Sequence, residues 1–183
     1  LLRQRKHNFE KNCVFFFVKK GIFMTKILFV CHGNICRSPM AEFVMKDIVK
    51  KRGIEKEFEI ASCATSTEEI GNSVYPPVKK KLKEVGILCD GKTARQLTRE
   101  DYDYFDYIIA MDRFNIKNMK SIIGDDKKNK VFLLMDFTDR PGEVADPWYT
   151  RDFDATYRDV KDGCEGLLEK IIKTPTFLIK YKK

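Results

Sequence analysis

Short apolar runs alternate along this chain with longer stretches in which apolar residues recur every three or four positions. Four runs predict β-strands, over about 26–30, 58–61, 107–111 and 130–134. Two clear amphipathic stretches predict helices over about 38–52 and 153–172. Strands that alternate with helices favour a parallel sheet covered on both faces. We therefore predict a single α/β domain, with a four-stranded parallel sheet flanked by helices on both faces.

The charge of the chain is concentrated at its two ends. The 183 residues carry a formal net charge of +8 at pH 7. Residues 1–23 account for +5 and residues 173–183 for +4, which leaves −1 for residues 24–172. We therefore predict a domain over 24–172, preceded by a basic, aromatic extension outside the fold and followed by a basic tail. A basic central domain would indicate nucleic-acid binding, but this one is not basic, and we expect no nucleic-acid partner.

The apolar run at 13–18 is far shorter than the roughly 20 residues that span a bilayer. Association of the basic ends with a membrane surface is the less favoured alternative. Six cysteines at irregular spacing, without a secretion signal, indicate a reducing compartment and hence a cytoplasmic protein. With two histidines and no C-x2-C pair, we expect neither a zinc site nor another cofactor.

The segment after the first predicted strand holds the most informative chemistry. Residues 31–39 read Cys-His-Gly-Asn-Ile-Cys-Arg-Ser-Pro and lead into the first predicted helix. Loop amides at a helix N-terminus bind phosphate, and their positive field favours the thiolate form of Cys31. Arg37 offers a planar fork that can bind two phosphate oxygens at once. The segment therefore predicts a thiol nucleophile beside a phosphate-binding loop.

A second C-x5-R match runs from Cys89 to Arg95, and we interpret it as accidental. Only two apolar residues precede Cys89, and Gln96 rather than a hydroxyl follows Arg95. By contrast, the first match contains Gly33 and Asn34, which tolerate left-handed backbone, and ends in a helix-opening Ser-Pro.

The Cys31–Arg37 loop with Ser38-Pro39 resembles the active-site loop of the low-molecular-weight protein tyrosine phosphatases. The family's second signature, an Asp-Pro followed by aromatic residues, is found at Asp146-Pro147-Trp148-Tyr149. The resemblance runs from about 24 to about 172. It implies a metal-independent phosphatase that hydrolyses phosphotyrosine and aryl phosphates through a cysteinyl-phosphate intermediate.

The resemblance also assigns roles to individual residues. It implies Cys31 as nucleophile, Arg37 as the ligand of the phosphate in the transition state, and Asp146 as general acid and base. Ser38 would stabilise the Cys31 thiolate. The implied substrate contacts are His32, Gly33, Asn34, Ile35, Cys36, Trp148 and Tyr149.

Asn34 and Ser62 would support the loop, and Cys31 and Cys36 would form a redox pair. The chain departs from the family at two places. Glu68 or Glu69 stands where many members have an aromatic wall, and Lys92 stands nearest to a position that is often histidine.

Several alternatives remain at this stage. Residues 86–93 match the G-x-x-x-x-G-K-[ST] nucleotide-binding pattern, but a basic amphipathic helix rather than a buried strand is predicted before them. Arsenate reductases of this architecture use further cysteines at a spacing that this chain does not resemble. Related arginine phosphatases have Thr at the position of Ile35, so Ile35 favours phosphotyrosine. A phosphate-binding module without catalysis is a further class, and the physiological substrate and oligomeric state stay open.

Overall fold

Four parallel strands form one sheet in the computed structural model, which describes residues 24–174 and 177. They are β1 (Thr25–Cys31), β2 (Phe58–Ala64), β3 (Tyr107–Ala110) and β4 (Val131–Leu133). The order across the sheet is β2-β1-β3-β4, and every pairing is parallel. The predicted parallel sheet is confirmed, and each strand overlaps the apolar run that predicted it. Because β1 lies inside the sheet, its C-terminal end has a neighbouring strand on each side.

The helices connect these strands and continue after the sheet. They are α1 (Arg37–Lys51), α2 (Pro76–Glu84), α3 (Arg99–Tyr104), α4 (Arg113–Ile123), α5 (Pro147–Thr150) and α6 (Phe153–Ile172). Two 3-10 turns lie at Glu55–Glu57 and Leu134–Phe137. The predicted first and last helices are confirmed as α1 and α6, and the basic helix predicted before the residues at 86–93 is α2. Of the helices in the described part of the chain, none has the length and apolar character needed to cross a bilayer.

The side chains of β1 alternate between the two faces of the sheet, as the period of a strand requires. Ile27 and Phe29 are fully buried in a core shared with α1, α2 and α6. Leu28 and Val30 are fully buried in a second core, shared with residues of α3 and α4. The prediction of helices on both faces is therefore confirmed. A strand that is buried on both faces is held rigidly, and this fixes the position of the residue that ends it.

Two glycines allow α6 to pack closely against the Leu134–Phe137 turn. A Cβ atom at Gly166 would overlap the backbone carbonyl of Phe137, and one at Gly163 would press into the Leu134 side chain. Backbone that approaches this closely leaves no room for a side chain. This contact joins the last helix to the segment that follows β4.

Asp126 organises the turn that leads into β4. Its carboxylate accepts hydrogen bonds from the Tyr102 hydroxyl at 2.7 Å and from the backbone N–H groups of Lys130 and Val131 at 3.1 and 3.0 Å. Burial raises the pKa of Asp126, but these hydrogen bonds outweigh it, and the pKa is lowered overall. The turn is therefore stabilised by the ionised form of Asp126.

The predicted extension over 1–23 lies outside the described residues, as does most of the predicted tail over 173–183. Of the tail, the structure describes residues 173, 174 and 177. The limits of the domain and the association of the ends with a membrane therefore stay predictions.

Candidate active site

Three adjacent strands end at the same edge of the sheet and bring distant parts of the chain together. Cys31 is the last residue of β1 and pairs in register with Ala64 of β2. Ser62 lies two residues before that end of β2, and Asp112 lies two residues after the end of β3. The C-terminal edge of a parallel sheet is where ligands bind in open α/β folds.

The loop after β1 wraps its backbone around the Cys31 sulfur. Asn34 adopts the left-handed conformation, with φ of 57°, which Asn tolerates better than most residues. Its backbone N–H points at Cys31 Sγ over 3.3 Å. Helix α1 then begins at Arg37 with no side-chain cap and no acidic residue in its first turn. The positive end of α1 is therefore not neutralised by its own side chains.

A chain of hydrogen bonds behind the loop holds the Ser38 hydroxyl beside Cys31. Asn34 Nδ2 donates to Ser38 Oγ at 2.9 Å and to Ser62 Oγ at 2.8 Å. Ser38 Oγ lies 3.0 Å from Cys31 Sγ. Ser38 Oγ accepts from Asn34 and also lies 3.3 Å from the Cys63 carbonyl oxygen, so its one hydrogen can be donated either to that carbonyl or to a Cys31 thiolate, which has no hydrogen of its own. A hydrogen bond to the charged form stabilises that form.

Two charged residues extend this chain into the protein. Ser62 donates to Glu42 Oε2 at 2.6 Å. Lys92 Nζ lies 3.3 Å from the same oxygen and donates to the Ser62 backbone carbonyl at 2.9 Å. Lys46 contacts the other oxygen of Glu42 at 2.5 Å, but from a more exposed position. The side chain of Glu42 is buried, so these contacts compensate the cost of burying its charge.

Arg37 is buried and bound by carboxylates on two sides. Its Nη1 donates to Asp112 Oδ2 at 2.5 Å and to the Val144 carbonyl at 3.2 Å. Its Nη2 donates to Asp146 Oδ2 at 2.5 Å. Burial lowers the pKa of Arg37, but the neighbouring negative charges outweigh it and raise the pKa. The guanidinium is thus permanently charged and held at the floor of the pocket.

Asp146 lies at the start of α5, where its side chain caps the helix. Its Oδ1 accepts from the Trp148 backbone N–H at 3.0 Å, while Oδ2 faces Arg37. Pro147 follows as the first helical residue, a position where its missing N–H has no cost. The cap and the proline fix the direction of the Asp146 carboxylate into the pocket.

These groups surround a pocket of about 170 Å³. One wall is aromatic: Trp148 is 42% and Tyr149 82% exposed, and the Tyr75 ring packs 5.1 Å from the Trp148 ring. The other wall carries Glu68 and Glu69. A narrow pocket with charged groups on its floor and a flat ring at its rim is suited to a phosphate on an aromatic group.

Cys36 lines the same pocket as Cys31, and its thiol keeps its proton near neutral pH. Burial, followed by the charge of Cys31, raises the pKa of Cys36 to about 12. Cys31, Cys36, Cys63, Cys89 and Cys164 are all free thiols in the described part of the chain.

The structure brings nearly all of the predicted site residues together. Cys31, His32, Gly33, Ile35, Cys36, Arg37, Asp146, Trp148 and Tyr149 line the pocket. Asn34 is not among the lining residues. It was predicted both to contact substrate and to support the loop, and its buried side chain lies behind the loop with Ser38 and Ser62.

Asp112 and Glu42 are site residues that the sequence reasoning missed. The position of Asp112 directly after a predicted strand was visible, but its contact with Arg37 was not. A signal for Glu42 does exist, because it is a charged residue four positions after Ser38 in a helix, between the apolar Ala41 and Phe43.

The second C-x5-R match and the nucleotide-binding pattern at 86–93 have other roles in the structure. Cys89 is buried in the core, and Arg95 pairs with Asp101. Residues 86–93 follow α2 rather than a strand, and Lys92 points inward to Glu42.

Comparison with known proteins agrees with this geometry. The family model described as low molecular weight phosphotyrosine protein phosphatase matches residues 26–176. The low molecular weight protein-tyrosine-phosphatase YfkJ of Bacillus subtilis is 40% identical over 152 residues, which are 82% of this chain and 97% of that protein. The crystal structure of YfkJ superposes with a TM-score of 0.78 and is covered over 96% of its chain.

A second solved structure is the low molecular weight protein tyrosine phosphatase SP-PTP of Streptococcus pyogenes. It is 43% identical and superposes with a TM-score of 0.73, over 85% of this chain and 98% of its own. The residues matched by the family model, 26–176, include both the Cys31 loop and the segment with Asp146.

Proposed function

We propose residue roles for phosphotyrosine hydrolysis in this pocket, from the premise that the chain belongs to the low molecular weight phosphotyrosine protein phosphatase family. The protein is a protein-tyrosine-phosphatase that uses a cysteine nucleophile. One observation carries the assignment: Cys31, Arg37 and Asp146 face one pocket, with Ser38 Oγ 3.0 Å from Cys31 Sγ.

In the first step, the Cys31 thiolate attacks phosphorus. The S–P bond forms and the bond between phosphorus and the phenolic oxygen breaks. Arg37 and the loop amides bind the equatorial phosphate oxygens, where the transition-state charge is spread. Asp146 in its protonated form gives its proton to the departing phenolate. Trp148 and Tyr149 contact the ring of the substrate.

In the second step, water attacks the cysteinyl phosphate. Asp146, now a carboxylate, takes a proton from that water, so phosphate is released and the S–P bond breaks. Ser38 donates its hydrogen bond to the Cys31 thiolate as it leaves. Asn34 donates to Ser38 Oγ, which turns the hydroxyl hydrogen away from Asn34, and Ser62 holds the Asn34 amide in place. No metal ion takes part in either proposed step.

The test is hydrolysis of a small aryl phosphate in excess EDTA, on freshly reduced protein, between about pH 5 and pH 8. We expect turnover by the wild type, no turnover by Cys31→Ser, and unchanged turnover by Cys89→Ser, the cysteine of the second C-x5-R match. Asp146→Asn should lower kcat by about 10²–10⁴-fold, the usual contribution of a general acid. An active Cys31→Ser variant would refute the assignment.

We further propose that Cys31 and Cys36 form a disulfide under peroxide. Both free thiols line one pocket, and the raised pKa of Cys36 supports Cys31 as the thiol that is oxidised first. Peroxide takes up the two electrons as Cys31 becomes a sulfenic acid, and Cys36 then displaces water to form the S–S bond. Intact mass should fall by two hydrogens in the wild type. Cys36→Ser should instead accumulate over-oxidised Cys31, and reversible protection in that variant would contradict the proposal.

The natural partner is proposed to be a tyrosine-phosphorylated protein or a small aryl phosphate in the cytoplasm, where free thiols persist. Ile35 supports phosphotyrosine over phosphoarginine, because related arginine phosphatases have Thr at this position and the apolar Ile35 side chain lines the pocket here. The comparison is kcat/KM on a phosphotyrosine and on a phosphoarginine peptide of the same sequence.

A further inference from the structure

The two walls of the pocket differ in chemistry. Trp148 and Tyr149 form the aromatic wall, while Glu68 and Glu69 form the opposite one, here named the acidic wall. A phosphate dianion must pass two carboxylates to reach Arg37. The acidic wall therefore repels the phosphate group. Any favourable contact that it makes must be with another part of the substrate.

The acidic wall is attached to the phosphate-binding loop by direct contacts. Glu68 Oε2 lies 3.1 Å from His32 Nε2, next to the nucleophile. The Glu69 side chain packs over Gly33, where a Cβ atom would lie 3.1 Å from Glu69 Cγ. Asn72 Nδ2 donates to Glu69 Oε2 at 2.7 Å. These contacts place the two carboxylates at the rim of the pocket.

The cations near the pocket leave the acidic wall negative. Arg37 is already paired with Asp112 and Asp146. Arg151 lies on the aromatic side, with its guanidinium 5.5 Å from the Trp148 ring. Among the described residues, His32 is the one basic side chain in contact with either carboxylate of the acidic wall.

Glu68 is 70% exposed, so its carboxylate faces the space outside the pocket mouth. When the phosphotyrosine ring occupies the pocket, the residues next to it in the substrate chain lie at this rim. Unlike charges attract across such a partly solvated rim, and like charges in the same place disfavour binding.

We propose that Glu68 and Glu69 select phosphotyrosine sites that have Lys or Arg next to the phosphotyrosine, and reject sites with acidic neighbours. The inference rests on the proposed function of the pocket and adds the substrate class. The basic neighbour neutralises the acidic wall, which otherwise repels the phosphate. Substrates without a basic neighbour gain nothing from the acidic wall.

The experiment uses three phosphotyrosine peptides that differ only in the two residues flanking the phosphotyrosine: Lys, Ala or Glu. For the wild type at low salt, we expect kcat/KM to fall from Lys to Ala to Glu, by about tenfold in total, as expected for a few partly screened charge pairs. The ratio should shrink in about 1 M salt, where the Debye length is about 3 Å.

The variant Glu68→Gln/Glu69→Gln should reduce the Lys-to-Glu ratio to within about twofold. The matched control Glu165→Gln/Glu169→Gln removes two partly exposed charges from α6 and should leave the ratio unchanged. For a small aryl phosphate, which has no neighbours, the Glu68/Glu69 variant should have a higher kcat/KM than the wild type, because the repulsion of phosphate is relieved.

A Glu68/Glu69 variant with a lower kcat/KM than the wild type on the lysine peptide, and a higher kcat/KM on the small aryl phosphate, would support the proposal. A wild-type Lys-to-Glu ratio within twofold, or a ratio that survives in the Glu68/Glu69 variant, would overturn it. Failure of the wild type to hydrolyse the small aryl phosphate would instead overturn the proposed function, so the two failures are distinguishable.

Discussion

Replacing Lys92 by Met tests whether the buried end of the hydrogen-bond chain supports the active-site loop. Lys92 is 13% exposed, and its Nζ bonds both Glu42 and the Ser62 carbonyl. Lys46 contacts the same carboxylate but is 44% exposed. Lys46→Met is therefore a matched control, with the same substitution and the same partner but a different degree of burial.

The expected loss of unfolding free energy follows from these contacts. Removing one partner of a buried ion pair costs about 3–5 kcal/mol, and a hydrogen bond to a charged group contributes about 1.5–3 kcal/mol. Because Lys46 still compensates Glu42 in the variant, we expect Lys92→Met to lose about 3 kcal/mol of unfolding free energy. Lys46→Met should lose about 0.5 kcal/mol, the usual value for an exposed pair.

The assay is urea unfolding of the reduced proteins, together with kcat on a small aryl phosphate. Lys92→Met should lower kcat as well as stability, since Ser62 and Asn34 lose the anchor that directs the Ser38 hydroxyl. Lys46→Met should leave kcat unchanged. If the two variants have the same unfolding free energy within about 0.5 kcal/mol, the buried ion pair does not stabilise the loop and the reasoning is wrong.

Two further predictions concern the scaffold. The lowered pKa of Asp126 means that its contribution to stability is present above the pKa of an unfolded Asp and is lost as pH falls through the folded pKa. Asp126→Asn should therefore lose about 2 kcal/mol near neutral pH, and urea unfolding should show the difference shrinking as pH falls below the pKa of an unfolded Asp. Gly166→Ala should lower the melting temperature, because its Cβ would overlap the Phe137 carbonyl, and an overpacked site costs about 1–3 kcal/mol. An unchanged melting temperature would show that α6 can move away from that turn freely.

The sequence predicts the parts of this molecule whose signals are local. The four apolar runs predicted the strands, and the Cys31 loop with its Ser-Pro helix start predicted the phosphate-binding end of β1. Asp146 was found because proline and aromatic residues follow it directly. The order of the strands was not predicted, since periodicity says which residues face a core but not which strand lies beside which.

Contacts between residues that are distant along the chain could not be predicted from the sequence either. The pairing of Arg37 with Asp112 joins residues 75 positions apart, and Glu42 meets Lys92 across 50 positions. Neither pair has a sequence separation that predicts a contact. The first pair depends on β1 and β3 ending at a common edge, and the second on the segment after α2 packing against α1, so both contacts could be recognised only after the fold had been assembled.

The central place of β1 in the sheet has a consequence for how the protein opens. The amides of β1 belong to a strand that is hydrogen-bonded on both sides and buried on both faces, so we expect them to exchange with deuterium more slowly than amides outside the sheet. Asp146 lies outside the sheet at the start of the short helix α5, and its side chain is held by the cap of that helix and by Arg37. A fluctuation can therefore separate the proton donor from the pocket while the thiol stays in place. The protein keeps its nucleophile in the part of the chain that opens last.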